Sequence, residues 1–152
     1  MSIAVAAEDP AGADALALVA ELSATLAALT GATGQASFDA ADVLVPRACF
    51  AVARDADGRA LGCGALRPLE GGVAEVKRMY ARPGTRGVGS AVLAFLEREA
   101  AAWGYAALRL STRRVNARAV AFYERHGYVP IDGYGRYAGS AVSVCFEKRI
   151  GA

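Results

Sequence analysis

The chain has 152 residues, 55% of them apolar and 21% charged, with a net charge of +2. That length suits one domain with a single core, spanning residues 1–152. Alanine inflates the apolar fraction, and no uninterrupted apolar stretch approaches the roughly 20 residues of a bilayer span, so the composition does not signal a membrane protein. The start, Met1-Ser2-Ile3-Ala4, has no basic residue before its apolar run, which argues against a signal peptide.

Charge is unevenly divided. Residues 1–66 carry a net −5 and residues 67–152 a net +7, and fifteen of the seventeen basic residues are arginine. Arginine suits forked contacts with phosphate or carboxylate, so the C-terminal half reads either as the seat of a polyanionic ligand or as a solvated basic surface. Cys49, Cys63 and Cys145 are widely spaced, form no Cys-x-x-Cys pair and sit in apolar, strand-like stretches. They read as buried free thiols of a protein in the reducing cytoplasm, and with His126 as the only histidine no metal site is expected.

In chain order, Ile3–Ala7 reads as a strand. Asp9 as N-cap and Pro10 at the first helical position then start a helix, in which Leu16, Val19, Leu22, Leu26 and Leu29 recur at helical spacing up to Gly31. Asp39–Val45 reads as a short second helix. Cys49–Arg54 and Ala60–Leu66 flank Asp55-Ala56-Asp57-Gly58, the turn chemistry of a hairpin. A fourth strand runs over Val73–Ala81. Alternation puts Glu75, Lys77 and Met79 on one of its faces and Val76, Arg78 and Tyr80 on the other. A helix over Gly89–Trp103, a strand over Ala107–Leu110 and a helix from Asn116 to about His126 follow. The last strands are Tyr128–Pro130 and Val142–Lys148. The expected fold is α/β (α+β), with a mixed sheet of about seven strands and four helices.

The most informative segment is Arg82-Pro-Gly-Thr-Arg-Gly-Val-Gly-Ser90, between a strand and a helix. A glycine-rich helix start turns backbone N–H groups outward, adds the positive end of the helix dipole and lets phosphate oxygens approach the main chain. No lysine follows the last glycine, so it is not a nucleotide triphosphatase P-loop; the dinucleotide fingerprint lacks its third glycine.

Gly84-Thr-Arg-Gly-Val-Gly89 resembles the pyrophosphate loop of the GNAT N-acetyltransferase superfamily. Ala119-Val-Ala-Phe-Tyr123-Glu-Arg-His-Gly127-Tyr128, with Asn116 just upstream, resembles its second signature, and Val73–Ala81 running into Arg82-Pro83 resembles its fourth strand. The resemblance implies a bulge in the fourth strand, a sheet splayed between strands 4 and 5, acetyl-coenzyme A as co-substrate and direct acetyl transfer to the amine of a small molecule. It implies cofactor contacts from the amides of Met79 and Ala81, from Arg86, Gly87, Val88, Gly89 and Ser90, and from Asn116. Ser111, Thr112, Arg113 and Arg114 would lie near the same ligand.

Tyr123 matches the tyrosine that protonates the departing thiolate, and Glu75 lies where some members carry a catalytic base; a salt bridge to Lys77 or an arginine is the structural alternative for Glu75. Tyr134, Arg136 and Tyr137, between the last two strands, would grip the acceptor. His126 reads as a surface residue stabilised by a helix C-terminus. In the loop, Gly84 occupies the slot usual for arginine or glutamine, which trims one phosphate-cradling turn. A non-catalytic acyl-coenzyme A binding module is therefore the alternative function. The arginines lack the interleaved aromatics of a nucleic-acid binder. A homodimer is plausible for such a fold.

Overall fold

The computed structural model describes residues 2–151. Its seven strands, β1 (Ala4–Glu8), β2 (Cys49–Arg54), β3 (Ala60–Pro68), β4 (Val73–Ala81), β5 (Ala107–Arg113), β6 (Val129–Ile131) and β7 (Ser143–Arg149), form one sheet in the order β1-β2-β3-β4-β5-β7-β6. Every neighbouring pair is antiparallel except β4 and β5. The three α-helices are α1 (Ala13–Thr30), α2 (Val88–Ala102) and α3 (Ala117–Arg125).

Alternation along the strands divides the core in two. On one face Ala15 and Leu18 of α1 pack with Phe50, Val52, Cys63 and Ala65. On the other, Val88, Val92, Leu93 and Leu96 of α2 and Tyr123 of α3 pack with Ala51, Leu66, Val76, Leu108, Leu110 and Phe146. The second helix approaches unusually closely. A Cβ on Gly64 would stand 2.6 Å from Met79 Sδ and 2.8 Å from Val92 Cγ1, so glycine here makes room for α2. Among the described residues α1 is the one helix long and apolar enough, by length and composition, to cross a membrane. It is largely alanine, and Ala15, Leu18 and Leu22 bury one side of it.

Several expectations are corrected. The first helix begins at Ala13 with Gly12 as its N-cap, not at Pro10. Asp9 instead closes a turn of its own, in which Ala11 N–H donates to its Oδ1 and Gly12 N–H to its carbonyl. Asp39–Val45 forms only a 3-10 turn, Ala40–Val43, held by reciprocal Asp39 and Asp42 caps. The chain then meets Pro46, which disfavours a helical Val45. Two further single 3-10 turns lie at Gln35–Ser37 and Gly135–Tyr137. Strand β5 runs three residues past Leu110, because β7 pairs with it from Ala107↔Arg149 to Arg113↔Ser143.

Strand β4 carries the feature that positions the site. Cys63 pairs with Tyr80 and Ala65 with Lys77, so Gly64 faces two residues, Arg78 and Met79. This is a β-bulge, and Arg78 adopts φ +54° within it. The extra residue breaks the expected alternation. Glu75, Lys77, Arg78 and Tyr80 turn toward α1 and the segments around it, while Val76 and Met79 pack on the α2 side. The shared face of Glu75, Lys77 and Met79 is thereby overturned.

Candidate active site

The parallel pairing of β4 with β5 covers Val73↔Ala107, Ala74↔Leu108 and Glu75↔Arg109 and then stops. Beyond Glu75 the strands part, and the edge of β4 that faced β5 is left without a ladder. Arg82 N–H donates to Leu61 O on the other side. Alternation therefore turns the N–H groups of Ala81 and Met79 away from β3, toward the opened edge.

That edge leads into the turn before α2. Gly84 and Gly87 have φ +82° and +72°, conformations that favour glycine, and Gly87 is the N-cap of α2. Gly89 lies close to α3, since a Cβ there would stand 3.2 Å from the Phe122 ring, which would have to shift slightly. Among the described residues the amides of Arg86, Gly87, Val88, Gly89 and Ser90 donate to nothing; the ladder of α2 starts with Ala91 N–H on Gly87 O. A run of unpartnered donors at the positive end of a helix has the geometry that receives an anion. The exposed Arg86 beside it makes no ion pair or side-chain hydrogen bond among the described residues, and neither do Arg113 and Arg114. Arg82 is committed elsewhere, with Nη2 2.8 Å from Glu21 Oε2 and Nη1 2.8 Å from Ala60 O.

Helix α3 supplies the residues on this side of the sheet. Asn116 caps it, its Oδ1 accepting from Ala119 N–H at 3.2 Å. The buried Tyr123 ring packs edge-on against Phe122 and Tyr128. Its hydroxyl donates to nothing among the described residues and is not one of the sealed, unpartnered polar atoms. Burial pushes the Tyr123 hydroxyl well above the usual phenol value, so it stays protonated. His126 is not a free surface residue. Its Nδ1 donates to Phe122 O at 2.7 Å, because a carbonyl can only accept, and its Nε2 lies within hydrogen-bond distance of the Ser90 hydroxyl, at 2.8 Å.

Glu75 lies on the opposite face. Its carboxylate is 2% exposed; Oε1 receives Arg67 Nη1 at 3.0 Å and lies 3.6 Å from Lys77 Nζ, while Oε2 accepts from Tyr134 OH at 2.6 Å. Lys77 Nζ also donates to Tyr137 OH at 2.9 Å. Burial first, and the Glu75 charge second, push the Tyr134 hydroxyl far above its usual value. The structure thus joins Tyr134, Tyr137 and Glu75 into one network, whereas Arg136 reaches away to Ala36 O in the segment after α1. The salt-bridge alternative for Glu75 is what the geometry displays. Sequence reasoning named Lys77 as a partner of Glu75 but missed Arg78, whose signal was a basic residue inside an otherwise buried strand. His126 does end a helix as expected, but its partner, Ser90, escaped because it is distant in sequence.

A model of the acetyltransferase (GNAT) family matches residues 19–128. This chain belongs to the GNAT acetyltransferase family. It is 34% identical over 152 residues to a protein of Azospirillum brasilense named IAA acetyltransferase, covering 98% of this chain and 99% of that one. Among solved structures it is similar to a Klebsiella pneumoniae protein assigned as an acyl-CoA N-acyltransferase, at 29% identity and a TM-score of 0.82, covering 97% of each chain. The fold is shared at 21% identity and a TM-score of 0.61 with a Bacillus anthracis protein assigned as a streptothricin acetyltransferase, solved in complex with acetyl coenzyme A. That match covers 72% of this chain and 66% of the other. The expected family and the mixed seven-stranded sheet are thereby borne out, with three α-helices in place of four.

Proposed function

We propose that this protein transfers an acetyl group from acetyl-CoA directly to the amine of a small molecule. The observation that carries the reading is the opened edge of β4, continuous with the free amides at the start of α2. An extended amide-bearing arm fits such an edge, and a pyrophosphate fits the amides, with Arg86 adding charge. The complex of the Bacillus anthracis fold relative with acetyl coenzyme A supports the choice of ligand.

Acetyl transfer needs a neutral amine, donors for the oxyanion, and a proton for the departing thiolate. Met79 N–H, at the bulge, supplies a main-chain donor where the strands part. Tyr123 supplies the proton from the α2 side. Because burial raises its hydroxyl above a thiol's usual pKa of about 8.5, transfer is not downhill, and Tyr123 acts first by hydrogen-bonding the thiolate as charge develops. Glu75 faces the acceptor from the other side. Held by Arg67, Lys77 and Tyr134, it keeps that wall in place and takes the amine's proton through water. Free, buried Cys49, Cys63 and Cys145 fit a reducing, cytoplasmic compartment.

Release of free thiol from acetyl-CoA across a panel of amines tests the reading. Turnover with at least one amine is expected. Acetyl-CoA binding with no thiol release from any amine would favour the alternative, a non-catalytic acyl-CoA binding module.

A further inference from the structure

Arg78, the bulge residue, is the most unusual charge in the molecule. It is 7% exposed, and among the described residues no carboxylate lies within ion-pair distance of it. Its neutral partners are Thr33 O on Nη1, at 3.1 Å, and Val19 O and the Ser23 hydroxyl on Nη2, at 3.3 and 2.5 Å. Of the five guanidinium N–H groups this leaves Nε–H, buried with no acceptor, and one N–H of Nη1. Burial pushes the group below its usual value. An arginine buried without a counter-ion is costly, and one with an idle donor is doubly so.

Arg78 is one of the residues that line a cavity of about 160 Å³ between α1, the segment after it and the sheet. The remaining lining is mostly apolar: Leu16, Val19, Phe38 and Phe50, with Gln35 as its other polar side chain. The volume is close to the ~150 Å³ that accepts a benzene ring in an apolar protein cavity. Gly34, at φ +78°, lets the guanidinium pack closely against the segment after α1, since a Cβ there would stand 2.9 Å from Nη1. The apolar walls suit a hydrocarbon or aryl group, and the unbalanced positive charge suits one anionic group.

We propose that this pocket is the acceptor subsite and that it takes a small apolar molecule bearing a carboxylate, with Arg78 as the carboxylate's counter-ion. The inference rests on the acetyltransferase reading for the word acceptor, but not for the ligand. The bulge places Arg78 and Met79, adjacent in the chain, on opposite faces of β4. A molecule anchored by its carboxylate on Arg78 therefore lies one residue from the main-chain segment assigned to the thioester.

Equilibrium binding of phenylacetate and of its neutral analogue phenylacetamide tests the site without catalysis. Phenylacetate should bind at least ten-fold more tightly, and Ala40→Trp, at an exposed residue that also lines the pocket, should abolish that binding. Arg78→Gln should remove the preference for the carboxylate; if that variant does not fold, Ala40→Trp carries the test. Equal binding of the two probes, or phenylacetate binding unaffected by Ala40→Trp, overturns the proposal. In the second arm, phenylalanine is compared with phenylalaninamide as acceptor. Turnover of amines without preference for the free carboxylate overturns the acceptor assignment while leaving the acetyltransferase reading intact. Tight phenylacetate binding with no amine turned over upholds the anion site and counts against that reading instead.

Discussion

The Ser90 hydroxyl, in the first turn of α2, and His126 Nε2, at the end of α3, lie 2.8 Å apart. The contact ties the anion-binding turn to the helix that carries Tyr123. His126 also packs on the Phe122 ring, with centroids 4.3 Å apart. If the turn before α2 holds the pyrophosphate, as proposed, His126 would act on it through Ser90, as a positioning residue.

His126→Ala should raise KM for acetyl-CoA by about 2–10-fold, the size of one lost hydrogen bond, with kcat unchanged. Ser90→Ala should do the same, and the double variant no more than either. Steady-state kinetics with acetyl-CoA as the varied substrate makes the comparison; additive losses in the double variant would break the link.

Tyr123→Phe removes a hydroxyl that bonds to nothing in the protein while keeping the ring that fills the core. Stability should change by less than about 0.5 kcal/mol, in contrast to a turnover loss of about 100-fold or more. Wild-type turnover in this variant would remove Tyr123 from the chemistry.

Glu75→Gln leaves Arg67 and Lys77 facing a neutral amide. With Arg67 partly exposed, the cost should be about 1–3 kcal/mol, measured by urea denaturation, whatever the catalytic role of the residue. The catalytic part is read separately, as a fall in kcat at the pH where the folded fraction is complete. Loss of stability without loss of kcat would make Glu75 a structural anchor alone.

Gly64→Ala should cost about 1–3 kcal/mol, because the new methyl meets Met79 Sδ and Val92 Cγ1 and must displace α2. Thermal unfolding measures it. An unchanged midpoint would mean that the second helix has slack.

Burial pushes the thiols of Cys49 and Cys63 up from 9.0 to about 11 and about 12 respectively. Each is raised above its unfolded value, so the unfolded chain loses protons first as the pH rises. The stability from these neutral thiols is complete below about pH 9 and is lost as the pH climbs toward 11 and 12. Unfolding midpoints should fall over that window, and less steeply in Cys49→Ala/Cys63→Ala. The same burial predicts negligible reaction with thiol reagents at neutral pH until the protein unfolds.

The elements that sequence made legible are those whose signals are local. Leucines at helical spacing marked α1, although Leu16 and Leu29 on the expected face are exposed, Asp55–Gly58 marked a hairpin, and the glycines from Gly84 to Gly89 marked the turn before α2. Strand β4 was placed to the residue. What escaped depends on pairing between distant segments. The resemblance implied a bulge in β4, but its place at Arg78 has no sequence mark, because it arises from two residues sharing Gly64 across β3, and one extra residue swaps every side chain beyond it. The end of β5 was invisible for a similar reason, since Ser111–Arg113 are polar and extend only because β7 pairs with them. Glu75 was found as a candidate, but its partner Tyr134 lies 59 residues away. The Asp39–Val45 helix failed on a local rule that was available, the proline at 46.

The two sides of β4 also bear on kinetic order. Tyr123 belongs to the α2 face, while Glu75 and Arg78 belong to the α1 face. Ligands that reach a gap in one sheet from its opposite sides need not wait for each other to leave. Both can be resident together, and neither product has to cross the other's path. A transferase so built has no need to park the acetyl group on itself, and its double-reciprocal plots should intersect rather than run parallel.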